Sequence, residues 1–118
     1  MSNAKSDKLL KRLRKLVGAF PEATEQQTWD HPTFRVKNKI FAAFGEHEGK
    51  TAITVKQQKP KQEALTGDPR FFVPPYVGRH GWVGIYAEEV EWDFVADLVE
   101  QAYRLTAPKT LVKQMDGP

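Results

Sequence analysis

The sequence predicts an α+β domain in which an N-terminal and a C-terminal helix pack on one face of an antiparallel sheet. Three observations lead to this fold class: a helical pattern near each end, several short strand patterns between them, and turn signals that separate the strands. A chain of 118 residues is long enough to bury a core without disulfides or metals. We therefore treat residues 1–118 as a single domain.

The first predicted element is a basic amphipathic helix over residues 6–20. Apolar residues recur there at spacings of four, three and four, which places them on one face: Leu9, Leu13, Leu16 and Phe20. The opposite face carries Lys8, Lys11, Arg12 and Lys15. The helix is thus expected to bury its apolar face and to expose its basic one.

The middle of the chain predicts the strands of the sheet. Extended patterns occupy residues 28–30, 34–37, 40–44, 51–55 and 82–86. We expect a tight turn at Asn38-Lys39, a polar short helix plus loop over 57–68, and an irregular stretch around the proline pairs that follow. These strands are short and close in sequence, so antiparallel pairing is expected.

The last long element is a second amphipathic helix over residues 92–105. Trp92, Val95, Val99 and Tyr103 share its apolar face, and Pro108 ends it. A short basic turn is expected over 109–115. The order helix, strands, helix supports the α+β class.

Composition narrows the functional classes. The absence of cysteine excludes disulfides, thiolate metal ligands and cysteine nucleophiles, and it fits a cytoplasmic location. No apolar run reaches the roughly 18 to 20 residues of a membrane helix, so we expect no membrane partner. The net charge of +3 mildly favours anionic partners.

The stretch FGEHEGKT at 44–51 resembles a phosphate-binding loop but fails as one. Such a loop needs four residues between its first glycine and the Gly-Lys pair, and a helix must follow it. Here three residues intervene, two of them glutamates, and a strand pattern follows. We predict a hairpin connection in which the glycines adopt positive φ.

The sequence contains few residues in patterns typical of nucleophilic catalysis or metal binding. The only serines are Ser2 and Ser6, both expected in an N-terminal arm, so a triad hydrolase is improbable. His31, His47 and His80 have no metal-site spacing, and the acidic run at 88–93 is explained by the dipole of the following helix. We assign no catalytic residue, metal or cofactor, and an enzyme is the less favoured reading.

Basic residues are the more numerous candidates for a binding site. If folding brings them to one side, they would form a surface that tracks phosphates, assisted by an aromatic residue near Tyr76 or Trp82. The residues in question are Arg35, Lys37, Lys39, Lys56, Arg79 and His80. The alternative is that these side chains solvate separate faces and protect sheet edges.

Three motifs in register resemble the YjbR family, also called MmcQ/YjbR-like proteins. They are WDHPTF at 29–34 followed by KIF at 39–41, YVGRHGW at 76–82, and YRLTAPK at 103–109. The resemblance covers residues 9 to about 111. It implies a CyaY-like or frataxin-like fold of the double-wing type and a DNA-binding role without assigned catalytic residues. Iron binding of the frataxin kind is disfavoured because the first helix is basic where frataxins are acidic.

The leading hypothesis is therefore a small, monomeric, non-enzymatic domain that binds nucleic acid, with DNA the expected form, through a basic surface. The alternative is a module or enzyme for a small anionic ligand, with a cleft between segments 29–34 and 78–82. The cleft residues would be Trp29, His31, Arg79 and Trp82. A deep cleft would favour the alternative, and a flat basic face would favour nucleic acid.

Overall fold

The computed structural model describes residues 4–117 and shows an α+β fold built on one six-stranded antiparallel sheet. The strand order is β1-β2-β3-β4-β6-β5, so only the last two strands are out of sequence order. The helices are α1 (Ala4–Gly18), α2 (Lys59–Thr66), α3 (Trp92–Thr106) and α4 (Lys109–Asp116). The strands are β1 (Thr24–Thr28), β2 (His31–Val36), β3 (Lys39–His47), β4 (Lys50–Val55), β5 (Phe71–Phe72) and β6 (Val83–Tyr86).

One face of the sheet and two helices enclose the core. Cross-strand partners such as Phe44 and Ile53, and Ile53 and Ile85, bury their side chains on the same face. These residues pack with Leu13 and Val17 of α1 and with the apolar side of α3. The predicted arrangement of terminal helices against an antiparallel sheet is therefore confirmed at this level. Residues 1–3 and 118 of the predicted domain lie outside the described residues.

A register shift between β2 and β3 adds one residue to the core. Phe34 pairs with Ala42 but Arg35 pairs with Ile40, which leaves Phe41 as the extra residue of a bulge. Phe41 and Ala42 are consecutive, yet both are buried. Phe41 contacts the ring of the fully buried Tyr103 edge to face, at 5.6 Å between centroids. The Tyr103 hydroxyl donates a hydrogen bond to the carbonyl of Pro21 at 2.7 Å.

The structure corrects several predicted boundaries. Residues 28–30 are not an extended segment: β1 ends at Thr28, and Trp29 and Asp30 form the turn into β2. The next turn has its positive φ angles at Lys37 and Asn38, one residue earlier than expected. In the β3–β4 hairpin, Gly49 has φ of +79°, whereas Gly45 lies inside β3.

Two strands are absent from the prediction. Strand β1 has the sequence TEQQT, which lacks the apolar alternation of a half-buried strand because it is an edge strand exposed along most of its length. Strand β5 has only two residues, Phe71 and Phe72, and forms the other edge. The stretch at 44–51 is not a phosphate-binding loop, because Lys50 directly begins strand β4 where such a loop requires a helix.

Candidate functional site

The second face of the sheet is not packed against α1 and α3; we call it the open face. Strand residues alternate between faces, so the cross-strand partners Thr33, Ala43, Thr54 and Gly84 lie opposite the core residues. A cavity of about 300 Å³ lies over this face, and we call it the trough. Its walls come from the β1–β2 turn on one side and the segment after β5 on the other.

Small residues form the floor of the trough. Ala43 and Gly45 of β3 and Ala52 and Thr54 of β4 line it. Because none of these side chains is longer than that of threonine, the floor leaves a depression between the bulkier residues at either side. The full lining is Thr28, Trp29, His31, Thr33, Ala43, Phe44, Gly45, Glu46, His47, Ala52, Thr54, Phe72, Pro74 and Pro75.

Two rings lie against glycines on the open face. The His31 imidazole covers Gly45, so that a β-carbon added to Gly45 would lie 3.1 Å from His31 Nδ1. The Phe72 ring occupies the space over Gly84, and a β-carbon there would lie 2.5 Å from Phe72 Cε1. Glycine at both positions is thus what lets these rings lie close to the sheet.

His47 connects the trough to a group of polar side chains at the end of β3. Its ring stacks on Phe72 at 3.9 Å between centroids, and its Nδ1 lies 2.9 Å from the Tyr86 hydroxyl. That hydroxyl also donates to Glu48 at 3.4 Å. Burial, followed by the negative charge of Glu48, raises the pKa of Tyr86. The tautomer of the His47 imidazole determines whether Nδ1 donates to the Tyr86 oxygen or accepts from it.

The predicted basic residues gather at the opposite end of the strands; we call it the basic end. Arg35 near the end of β2 pairs with Ile40 near the start of β3, and the Lys56 amide, just after β4, donates to the carbonyl of Phe41. Because Lys56 follows the core residue Val55, alternation places it, like Arg35, on the open face. Trp82 immediately precedes β6 at this same end.

The basic side chains differ in their partners. Lys37 forms an ion pair with Glu22 at 2.7 Å. Among residues 4–117, Lys39 and Lys56 have no carboxylate within ion-pair distance. The Arg35 guanidinium is half-buried and donates to Thr28 Oγ1 at 3.0 Å, while its buried Nε has no hydrogen-bond partner. Through Thr28, the Arg35 guanidinium is thus linked to the lining of the trough, although Arg35 itself does not line it.

Arg79 and His80 lie in a short 3-10 helix, Val77–His80, and both are exposed. The Arg79 Nε donates to His80 Nε2 at 3.3 Å. The following Gly81 packs against the backbone of residues 57–59, which follow Lys56. This contact places the 3-10 helix beside the basic end. Gln62 fixes it there, because its Nε2 donates to the Gly78 carbonyl at 2.7 Å.

The four residues predicted to form a cleft do not share one cavity. Trp29 and His31 line the trough, but Arg79 and Trp82 are not among its lining residues. The trough instead lies between segment 28–33 and residues 72–75. Phe34 packs in the core, whereas Trp29 is 90% exposed. The sequence prediction missed Phe72, His47 and the small-residue floor.

Other predicted chemistry is dispersed. His80 lies in the 3-10 helix, away from the trough that His31 and His47 line. Within residues 4–117 no three His, Cys, Asp or Glu side chains could together hold a metal ion. Ser6 lies within α1, not in an arm before it, and Ser2 lies outside the described residues. None of the helices described in residues 4–117 has the length and apolarity needed to cross a bilayer.

Comparisons with known proteins agree with this fold. The sequence model of the YjbR family matches residues 18–105. A solved structure, the Deinococcus radiodurans protein DR2400 with a DUF419 domain, superposes with a TM-score of 0.74 at 19% identity. The similarity covers 92% of this chain and 88% of that protein, and at this identity it supports the fold alone. No curated protein matches the chain.

Proposed function

Since the chain belongs to the YjbR family, we propose that it is a small, non-enzymatic DNA-binding domain that contacts phosphates with the basic end of its open face. The observation that carries this proposal is the register of the sheet. It brings Arg35, Lys39 and Lys56 to the same end of three neighbouring strands. Arg35 and Lys56 lie on the open face, whereas Lys39 pairs with the core residue Val36 and is exposed directly after the β2–β3 turn. Lys39 and Lys56 have no carboxylate partner among the described residues, so their charges are available to phosphates.

The competing basic surface is α1 on the other side of the molecule. Its exposed side includes Lys8, Lys11 and Lys15. A cavity of about 230 Å³ also adjoins this helix, and Arg12 lies there 5.8 Å from the centroid of the Trp92 ring. Trp92 is half-buried, however, whereas Trp29 on the open face is 90% exposed. The two surfaces can be separated by variants that remove equal charge from each.

The test is a fluorescence anisotropy titration of a labelled DNA oligonucleotide, single-stranded and duplex, at several salt concentrations. We expect Lys39→Gln/Lys56→Gln to weaken binding and to lower the slope of log K against log salt by about 1.4 to 1.8. The matched variant Lys11→Gln/Lys15→Gln should leave the slope unchanged. Negligible binding of either DNA form at low salt, or equal losses in both variants, would refute the proposal.

A second candidate function is supported by the trough itself. A cavity of about 300 Å³ is at the lower end of the range for small-molecule sites. The ligand would be a small anion held near Trp29 and His31, with the positive charge of Arg35 bonded to the lining residue Thr28. Thermal stabilisation by nucleoside monophosphates or small carboxylates, without any binding of oligonucleotides, would favour this function over the first.

We also propose that the fold is CyaY-like and that the protein is cytoplasmic. The order of a helix, an antiparallel sheet and a closing helix supports a CyaY-like architecture. The cysteine-free sequence supports a cytoplasmic location. Superposition on a frataxin structure and cell fractionation test these two points, and a different connectivity or a secreted protein would contradict them.

A further inference from the structure

Two exposed aromatic residues stand at the rims of the open face. Trp29 is 90% exposed and Tyr76 is 92% exposed, which is unusual for side chains of this size. Trp29 itself lines the trough, and Tyr76 directly follows Pro74 and Pro75, which line its other side. Neither aromatic contributes to the buried core, so the fold alone does not account for their position.

Both aromatics are held on strained backbone. Trp29 has φ of +54° in the two-residue turn between β1 and β2. Tyr76 has φ of +66° and ψ of −63°, and the Val77 amide donates to the Pro75 carbonyl at 2.7 Å across it. This is a γ-turn of the rarer, strained form. Positive φ also occurs at five other non-glycine residues of the described chain, so the near-complete exposure of these two aromatics is what distinguishes them.

The chemistry of the trough fits a planar ring. Its floor of Ala43, Gly45 and Ala52 is apolar and flat, and its walls include the rings of Trp29 and Phe72. Thr54 on the floor adds a hydroxyl that has no hydrogen-bond partner among the described residues. An apolar slot with a few polar groups at its edge is suited to a nucleobase, which has an apolar face and a polar edge.

On the open face, the basic end is two residues further along each strand than the row of residues that crosses the trough. Adjacent same-face positions along a strand are about 6.8 Å apart. Arg35 and Lys56 therefore lie next to the row of Thr33, Ala43 and Thr54 that crosses the trough. One nucleotide could place its base in the trough and its phosphate beside these cations.

We propose that the trough accepts an unpaired nucleobase, so that the domain prefers single-stranded over duplex nucleic acid; this inference rests on the proposed DNA-binding function. In a duplex the bases are stacked and paired, and their faces cannot enter a slot on a protein surface. An unpaired strand can place a base against Trp29 and Phe72 while its phosphates follow the basic end.

The test compares labelled single-stranded and duplex DNA of one sequence, using the wild-type chain and three variants. Trp29→Ala removes an exposed wall, and Ala43→Leu fills the floor. We expect each to weaken single-strand binding by about 5- to 150-fold, the range for one stacked base. Duplex binding and the salt slope should stay unchanged. Lys39→Gln/Lys56→Gln should instead weaken both DNA forms.

The outcomes separate the two proposals. Equal affinity for the two DNA forms, with Trp29→Ala and Ala43→Leu silent and the lysine variant weakened, would overturn the trough proposal and leave the DNA-binding function standing. If the wild-type chain binds neither form, both proposals fail. Should Ala43→Leu prove unfolded by circular dichroism, Trp29→Ala decides the matter, because its side chain lies outside the core.

Discussion

Replacement of Gly84 by alanine tests the packing that shapes the trough. A β-carbon at residue 84 would lie 2.5 Å from Phe72 Cε1. Two further carbons of the ring, Cζ and Cε2, would lie closer still. Carbon atoms pack at about 3.5 Å or more, so the Phe72 ring must move by more than about 1 Å. Overpacking of this kind costs about 1–3 kcal/mol. At roughly 4 °C per kcal/mol for a chain of this length, the melting temperature should fall by about 4–12 °C.

A matched control isolates the steric effect. Gly67 has φ of −71° and no atom within 4 Å of the position of an added β-carbon. Both alanine variants reduce the conformational entropy of the unfolded chain, which favours the folded state. Gly67→Ala does so without creating a clash. Thermal denaturation of Gly84→Ala and Gly67→Ala measures the predicted difference in melting temperature. Equal melting temperatures in the two variants would refute the argument.

A spectroscopic readout accompanies the melting experiment. Displacement of Phe72 in Gly84→Ala should disturb its stacking on His47, which now has 3.9 Å between ring centroids. The proton resonances of His47 should move as the ring current of Phe72 is lost. Unchanged His47 resonances would show that the ring had not moved.

Three further predictions concern contacts that hold the elements in place. Gln62→Leu removes the buried donor to two loop carbonyls and should cost about 1–3 kcal/mol in urea denaturation. Tyr103→Phe removes the bond to the Pro21 carbonyl and should cost about 0.5–1.5 kcal/mol by the same measurement. The hydrogen bond from Arg104 lowers the pKa of Asp116, so this carboxylate stabilises the fold above its ordinary pKa of 3.8. The stability difference between wild type and Asp116→Asn should therefore be present at pH 7 and vanish as the pH falls through the lowered pKa.

Each of these predictions has a contrary outcome. If Gln62→Leu is as stable as wild type in urea, the 3-10 helix does not depend on this side chain. A Tyr103→Phe variant as stable as wild type would mean that water replaces the bond without loss. A stability difference for Asp116→Asn that persists below the lowered pKa of Asp116 would show that the effect does not come from the ionised carboxylate.

The sequence is informative where periodicity and burial coincide. The apolar spacing of Leu13 and Leu16 in α1, and of Val95 and Val99 in α3, predicts two helices that the structure confirms. The alternating stretch Thr51 to Val55 likewise predicts β4. In each case the pattern reflects which side chains are removed from water, so local sequence and tertiary packing agree.

The trough could not be predicted in the same way. Its floor depends on which small residues of β3 and β4 become neighbours, and this is set by the register across the sheet. Gly45 was predicted to supply positive φ, but its role is to leave room for His31. Phe72 belongs to a two-residue strand that carries no periodic signal. The sequence named Trp29 and His31 as cleft residues, but the other side of the cavity is formed by Phe72, Pro74 and Pro75.

The most direct test of the central claim is to map the binding surface by NMR, titrating the isotope-labelled chain with a short single-stranded DNA. The account predicts that the perturbed amides cluster on the open face, at Thr33, Ala43, Thr54 and Lys56. Perturbations confined to the exposed side of α1, around Lys8 and Lys11, would contradict it, as would the absence of any shift at low salt.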